Sequence, residues 1–211
     1  MKTEDLISAL AADGRSGRTL GRSLVLALVG GALVAGAAFF ATLGLRPDID
    51  GAVHTVRFFF KFLVTLSLAA AATAVVWRIG RPGVSLTASS WVFAIPVILL
   101  IAAVAIELAV IPQASWGARL IGRNWMHCLL AIPAFSIPTL AALLYVMRDS
   151  APSSPALAGA VSGLVAAAIA ATYYASNCTD DSPLFVATWY TLAVLIVTGS
   201  GAFMGSRLLR W

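Results

Sequence analysis

The sequence predicts an all-α polytopic membrane protein, a bundle of six transmembrane helices with both termini in the cytoplasm. Three observations predict it. Of 211 residues, 60% are hydrophobic and only 11% charged, whereas a soluble domain carries about a quarter charged residues. Six apolar runs recur, each near the roughly 20 residues that a helix needs to cross a hydrocarbon core. The alternating-polarity segments of a transmembrane barrel are missing from the sequence.

The first run, Leu24–Leu45, holds 22 residues without a charge. A secretory signal core has about 7–15, so this reads as the first span rather than a cleaved leader. The other spans are expected at Phe58–Trp77, Trp91–Ile111, Cys128–Met147, Ala156–Ala175 and Phe185–Met204. They divide the chain into a tail (1–23), a membrane domain (24–206) and a short C-terminal tail (207–211). An even number of spans puts both tails on one side.

Basic residues choose that side. Lys2, Arg15, Arg18, Arg22, Arg78, Arg81, Arg148, Arg207 and Arg210 fall on one face of the membrane; Arg46, Arg57, Lys61, Arg119 and Arg123 fall on the other. The richer set marks the cytoplasm, so the tails are cytoplasmic, and the net charge of +5 is a topology signal before it is a nucleic-acid signal. Trp77, Trp91, Trp116, Trp125, Trp189 and Trp211 all lie at or beyond span ends, where an amphipathic ring suits the headgroup layer.

The N-terminal tail is patterned. Thr3 can cap a helix, and Glu4 and Asp5 sit in its first turn, where the helix dipole favours negative charge. Leu6, Ile7 and Leu10 share one face, and Asp13-Gly14 ends the run. Such a face can lie on the inner leaflet or dock into a groove on a soluble partner. Anionic lipid repels Glu4 and Asp5, which favours the partner. The cytoplasmic Arg78–Arg81 and Arg148 loops are further candidates for contact with it.

Within the spans, Gly159/Gly163 and Gly201/Gly205 form GxxxG pairs, and Ala27, Gly31 and Ala35 are spaced likewise. Small-residue faces let helix backbones approach closely. Packing inside the bundle is expected ahead of a dimer face, although a homo-oligomer stays open. Pro96, Pro133 and Pro138 are expected to kink spans three and four.

Two charges fall inside spans. Lys61 and Glu107 lie near the outer ends of antiparallel spans two and three, so they are expected to pair or to share a hydrated cleft. An intramembrane charge invites an ion or proton path, which makes a small transporter or channel the alternative function. One acid and one base are few for that task, and an interfacial pair with Lys61 reaching outward is preferred.

The polar interval Asn177–Phe185 holds more. Ser182 is a suitable N-cap and Pro183 a suitable first helical residue, so the last span starts there. Cys178 and Cys128 both fall at the outer face, which in a bacterial inner membrane is oxidising. A thiol sensor or disulfide is read ahead of two inert cysteines. His127, Asp180 and Asp181 are further ligands should a soft metal be the signal. Without a CxxC pair a disulfide oxidoreductase is disfavoured. The sequence carries no phosphate-binding glycine loop, catalytic triad pattern or zinc-hydrolase signature. No enzyme and no cofactor are expected.

Four segments together resemble a known family. They are Met1-Lys2-Thr3-Glu4-Asp5-Leu6-Ile7, the stretch from His127-Cys128-Leu129-Leu130 through Pro133, Pro138 and Leu144, the run Cys178–Tyr190, and Arg207-Leu208-Leu209-Arg210-Trp211. They are similar to the NrsF-like family of six-helix inner-membrane anti-sigma factors, and the likeness covers essentially the whole chain. The resemblance implies an extracytoplasmic-function (ECF) sigma factor as partner, held at the membrane away from RNA polymerase until stress releases it, with no direct contact to nucleic acid. It implies that Cys128 and Cys178 match paired cysteines that sense metal or oxidative stress from the periplasm. The sigma contacts are then expected on Glu4, Asp5, Leu6, Ile7 and Leu10, because a family without a soluble sigma-binding domain has little else in the cytoplasm.

Overall fold

The computed structural model describes residues 16–79, 91–150 and 152–209. The tail positions Glu4, Asp5, Leu6, Ile7 and Leu10 lie outside the described residues, as do Arg81, Arg210 and Trp211. Eight helices follow in order among the described residues: α1 (Ser16–Thr42), α2 (Ile49–Ala52), α3 (Val56–Ile79), α4 (Ala94–Val110), α5 (Trp116–Ile121), α6 (Trp125–Met147), α7 (Pro155–Ala175) and α8 (Pro183–Leu208). No strand occurs among the described residues. Six segments are long and apolar enough to cross a membrane, carried by α1, α3, α4, α6, α7 and α8. Their outward side chains are apolar: Leu26, Leu33, Ile101, Leu130, Ile137 and Phe203 are all largely exposed. That surface is unworkable in water and natural in lipid.

The small residues of α7 place it at the centre. Its alanines and glycines leave little bulk, so it packs against α8, α3, α6 and α1 at once and is buried on most sides. The seam with α8 is a contact of backbones. A Cβ added to Gly163 would stand 2.7 Å from the Val197 carbonyl oxygen, and one on Gly159 would stand 2.8 Å from Gly205 Cα. Both GxxxG faces are therefore spent on each other within one chain. Gly31 of α1 does the same against Thr139 of α6, where an added Cβ would lie 2.6 Å from Cα.

Prolines act according to position. Pro133 and Pro138 lie inside α6, and each removes a backbone donor from the ladder. Pro96 differs from expectation. A short 3₁₀ turn occupies residues 91–93 and α4 starts at Ala94, so Pro96 sits in the first turn. Its missing N–H has no intrahelical partner to lose there, so no kink is required.

The chain reverses after each span, which gathers the ends of α1, α4 and α7 and the starts of α3, α6 and α8 at one end of the bundle. We call it the polar end. Helix α5, an addition to the expected pattern, lies there too. Gly122 at φ +61° ends α5, and an added Cβ would meet the Phe185 ring at 2.5 Å and Asp180 Cγ at 2.9 Å. Only glycine suits both the left-handed backbone and the gap. The turn into α6 is thereby pressed onto the start of α8.

Candidate functional site

The site grows out of the way α7 ends. Its last turn tightens: the N–H groups of Asn177 and Cys178 both donate to the Tyr174 carbonyl, at 3.0 and 2.9 Å. Residues 177–182 each find a partner elsewhere in the chain. The Asn177 amide donates to the Leu43 and Gly44 carbonyls at the end of α1, at 3.3 and 3.1 Å. The Cys178 carbonyl oxygen accepts from Lys61 Nζ of α3 at 2.7 Å and, at 3.4 Å, from Arg46 Nη1. Asp181 lies 2.8 Å from Arg46 and 2.5 Å from Lys61. Asp48 takes the other edge of the Arg46 guanidinium at 2.7 and 2.8 Å. The ring of Phe58 lies under both cations, 5.6 Å from Lys61 Nζ and 5.9 Å from Arg46 Cζ.

Asp180 points the other way. Its Oδ2 accepts from the backbone N–H groups of Arg123 and Asn124 at 3.0 and 2.8 Å and from the Asn124 side chain at 2.9 Å. It caps α6 from a distant part of the chain, neutralising donors that a helix start leaves unpaired. Ser182, expected as a cap for its own helix, makes no such bond. Glu107 of α4 does the work instead. Its Oε2 accepts from Ser182 Oγ at 2.7 Å and from the Leu184 N–H at 3.0 Å, while Oε1 faces Arg119 at 3.2 Å and Arg57 at 3.9 Å. A carboxylate reaches deeper than a serine hydroxyl and brings the charge that the helix start favours.

The expected Lys61–Glu107 pair is therefore not formed. Both side chains are buried, Lys61 completely, and each is claimed by the 178–184 loop, which lies between them. Lys61 turns inward to the loop's carbonyl and Asp181 instead of reaching outward. Both charges are satisfied locally near the bundle's end, by partners other than each other.

Beneath the loop lie the cysteines. Cys128, in the first turn of α6, and Cys178 are both free thiols, and both are buried in one cluster with Ile132, Tyr174, Phe185 and Tyr190. The Cys178 thiol points to the Asp180 carbonyl oxygen at 3.8 Å, and burial pushes its pKa up despite Lys61 nearby. Tyr190 is buried with its hydroxyl unpartnered. It closes the π-helical turn Val186–Tyr190 at the head of α8, a local irregularity of the kind that often marks functional sites. His127 is exposed on α6 and stays apart from the buried thiols. Asp180 and Asp181 are occupied as described. Among the described residues no group of three or more such ligands is assembled for a metal ion.

Sequence reading picked out Cys128, Cys178, Asp180, Asp181, Lys61 and Glu107, and the structure brings all six to the polar end. It missed Arg46, Asn177, Asn124 and Tyr190. Arg46 enters the sequence reading only as a topology charge, yet its position just before Pro47-Asp48, directly after a span, is a usable sign of a built turn.

Comparison with known proteins now bears on this geometry. Residues 10–211 match the family described as "NrsF: Negative regulator of sigma F". The chain belongs to that family. Two relatives align over the whole of both chains: the "Probable anti-sigma-F factor NrsF" of Azospira oryzae, 35% identical over 216 residues, and the "Anti-sigma-F factor NrsF" of Caulobacter vibrioides, 36% identical over 216 residues. No solved structure matches. The NrsF family is one of regulators rather than enzymes.

Proposed function

We propose that this protein is a membrane-embedded anti-sigma factor that holds an ECF sigma factor at the bacterial inner membrane and releases it on a periplasmic signal. The family match over nearly the whole chain carries the reading. With both termini cytoplasmic, as the basic residues argue, the polar end faces the periplasm and Glu4, Asp5, Leu6, Ile7 and Leu10 face the sigma factor. Cys128 and Cys178 are the signal-receiving groups. In the oxidative case each thiol gives up one proton and one electron to hydrogen peroxide, which leaves as two waters, and one S–S bond joins the pair. In the metal case a soft cation replaces the two protons. Either event changes the packing of α6 against the head of α8. The loop above it touches every span, so the change reaches the cytoplasmic ends and weakens sigma binding. A tenfold loss of affinity needs about 1.4 kcal/mol of differential stabilisation.

Deleting residues 2–13 is expected to free the sigma factor while the protein stays in the membrane, read by co-purification from solubilised membranes. Retention of sigma by the deleted protein would refute the tail assignment. Replacing both cysteines by serine is expected to leave sigma bound but abolish stress-induced release; a normal release would remove the thiols from the mechanism.

A further inference from the structure

Three guanidinium groups from three separate segments line one open cavity of about 630 Å³ at the polar end. Arg57 comes from the first turn of α3, Arg119 from α5 and Arg123 from the turn between α5 and α6. Glu107 is the shared counter-ion of two of them, 3.2 Å from Arg119 and 3.9 Å from Arg57. The guanidinium of Arg123 makes no ion pair among the described residues. Asp180 and Asp181 also border the cavity. Asp180 Oδ2 accepts from the N–H groups that start α6, and Asp181 is paired with Arg46 and Lys61. Glu107 thus serves two of the three arginines, and the third, Arg123, has its guanidinium outside every ion pair of the described residues.

We propose that this cavity binds a phosphate-type oxyanion. The arginine fork matches tetrahedral oxyanions in geometry and charge, and it surpasses lysine where several oxygens must be held at once. The depth is also right. Trp116, Trp125 and Trp189 gather at the same end, the last two with rings 5.3 Å apart and Trp189 donating to the Leu120 carbonyl at 2.8 Å. Tryptophans settle at the headgroup layer, so the arginines stand where lipid phosphates and dissolved oxyanions both arrive. A bound anion shares Arg119 and Arg57 with Glu107, the residue that caps α8, and so acts on the same helix start as the thiol cluster. The inference does not depend on the anti-sigma reading, because binding is measured on the protein alone.

The test uses purified full-length protein in an uncharged detergent, with sodium chloride holding ionic strength constant so that screening is matched. One arm titrates inorganic phosphate or sulfate, followed by tryptophan fluorescence. The second arm supplies phosphatidylglycerol in nanodiscs, with diacylglycerol as the phosphate-free control. Saturable binding that is weakened at least tenfold in Arg123→Gln and in Arg57→Gln supports the proposal. Arg123→Gln is expected to unfold at the wild-type temperature, since its side chain holds no structural partner. Binding of phosphate alone identifies a soluble oxyanion, and binding of phosphatidylglycerol alone identifies a headgroup. No saturable binding in either arm, or equal binding by both variants and wild type, overturns it.

Discussion

The α7–α8 seam and the loop that joins these two helices close the same pair by opposite means. Along the seam, Gly159, Gly163, Gly201 and Gly205 put backbone on backbone with no side chain between. In the loop, residues 177–184 hold the helices through hydrogen bonds, most of them charge-assisted, that reach the end of α1, α3, α4 and the start of α6. A backbone contact has one close arrangement, and any added atom spoils it. A network of ions and amides holds only while each partner keeps its charge and protonation state, so a proton, an oxidant or an anion can alter it. The contrast assigns a fixed axle to the seam and an adjustable end to the loop.

The comparison breaks most visibly at Asp181. Replacing it by asparagine leaves Lys61 fully buried without its carboxylate and takes one of two from Arg46. Stranding a buried charge in this way costs about 3–5 kcal/mol. Thermal unfolding in detergent should show a large loss, and the double variant Asp181→Asn/Lys61→Met should recover part of it, because no buried ammonium is then left without its carboxylate. Wild-type stability in the single variant would show that the loop is not held by this ion pair.

The seam is tested by the smallest possible addition. Gly159→Ala forces a methyl into the α8 backbone and is expected to cost about 1–3 kcal/mol, the usual range for overpacking. Gly199→Ala is the control on the same helix pair: nothing lies within 4 Å of its added Cβ, and alanine is better by about 1 kcal/mol in a helix interior. Opposite signs at the two glycines are the expected result. Equal effects would mean that the seam is looser than a backbone contact.

These two regions were unequally legible in the sequence. The seam could be read almost directly, because GxxxG is a local pattern and its consequence is close approach; only its partner helix had to be learned from the structure. The loop could be read as a place and not as a circuit. The adjacent acids Asp180 and Asp181 looked like one feature, yet they face opposite ways and serve α6 and the α1–α3 corner separately. Glu107 and Lys61 were found as buried charges, but the loop that passes between them is a tertiary fact with no periodic trace. Ser182 illustrates the same limit. Its capping signal was correct about where α8 starts and wrong about which side chain satisfies the start.

The smallest expected effect lies at Asp48, where the adjustable end meets solvent. Its carboxylate receives two hydrogen bonds from Arg46 but is largely exposed. Those hydrogen bonds hold its pKa below the ordinary carboxylate range. A depressed carboxylate pKa stabilises the fold above the unfolded value, near 3.9, and that contribution disappears as pH falls through the folded value. Asp48→Asn should therefore lower the unfolding temperature slightly at pH 7, and added salt should shrink the gap. The gap should close further as pH drops below about 4, where wild type loses the same charge. Asp181, at the covered edge of the same guanidinium, should keep a clear effect in high salt at neutral pH. If Asp48→Asn instead matched Asp181→Asn in size and salt resistance, the outer rim of the loop would be as fixed as its interior, and the adjustable end would have to lie deeper, at the thiol cluster itself.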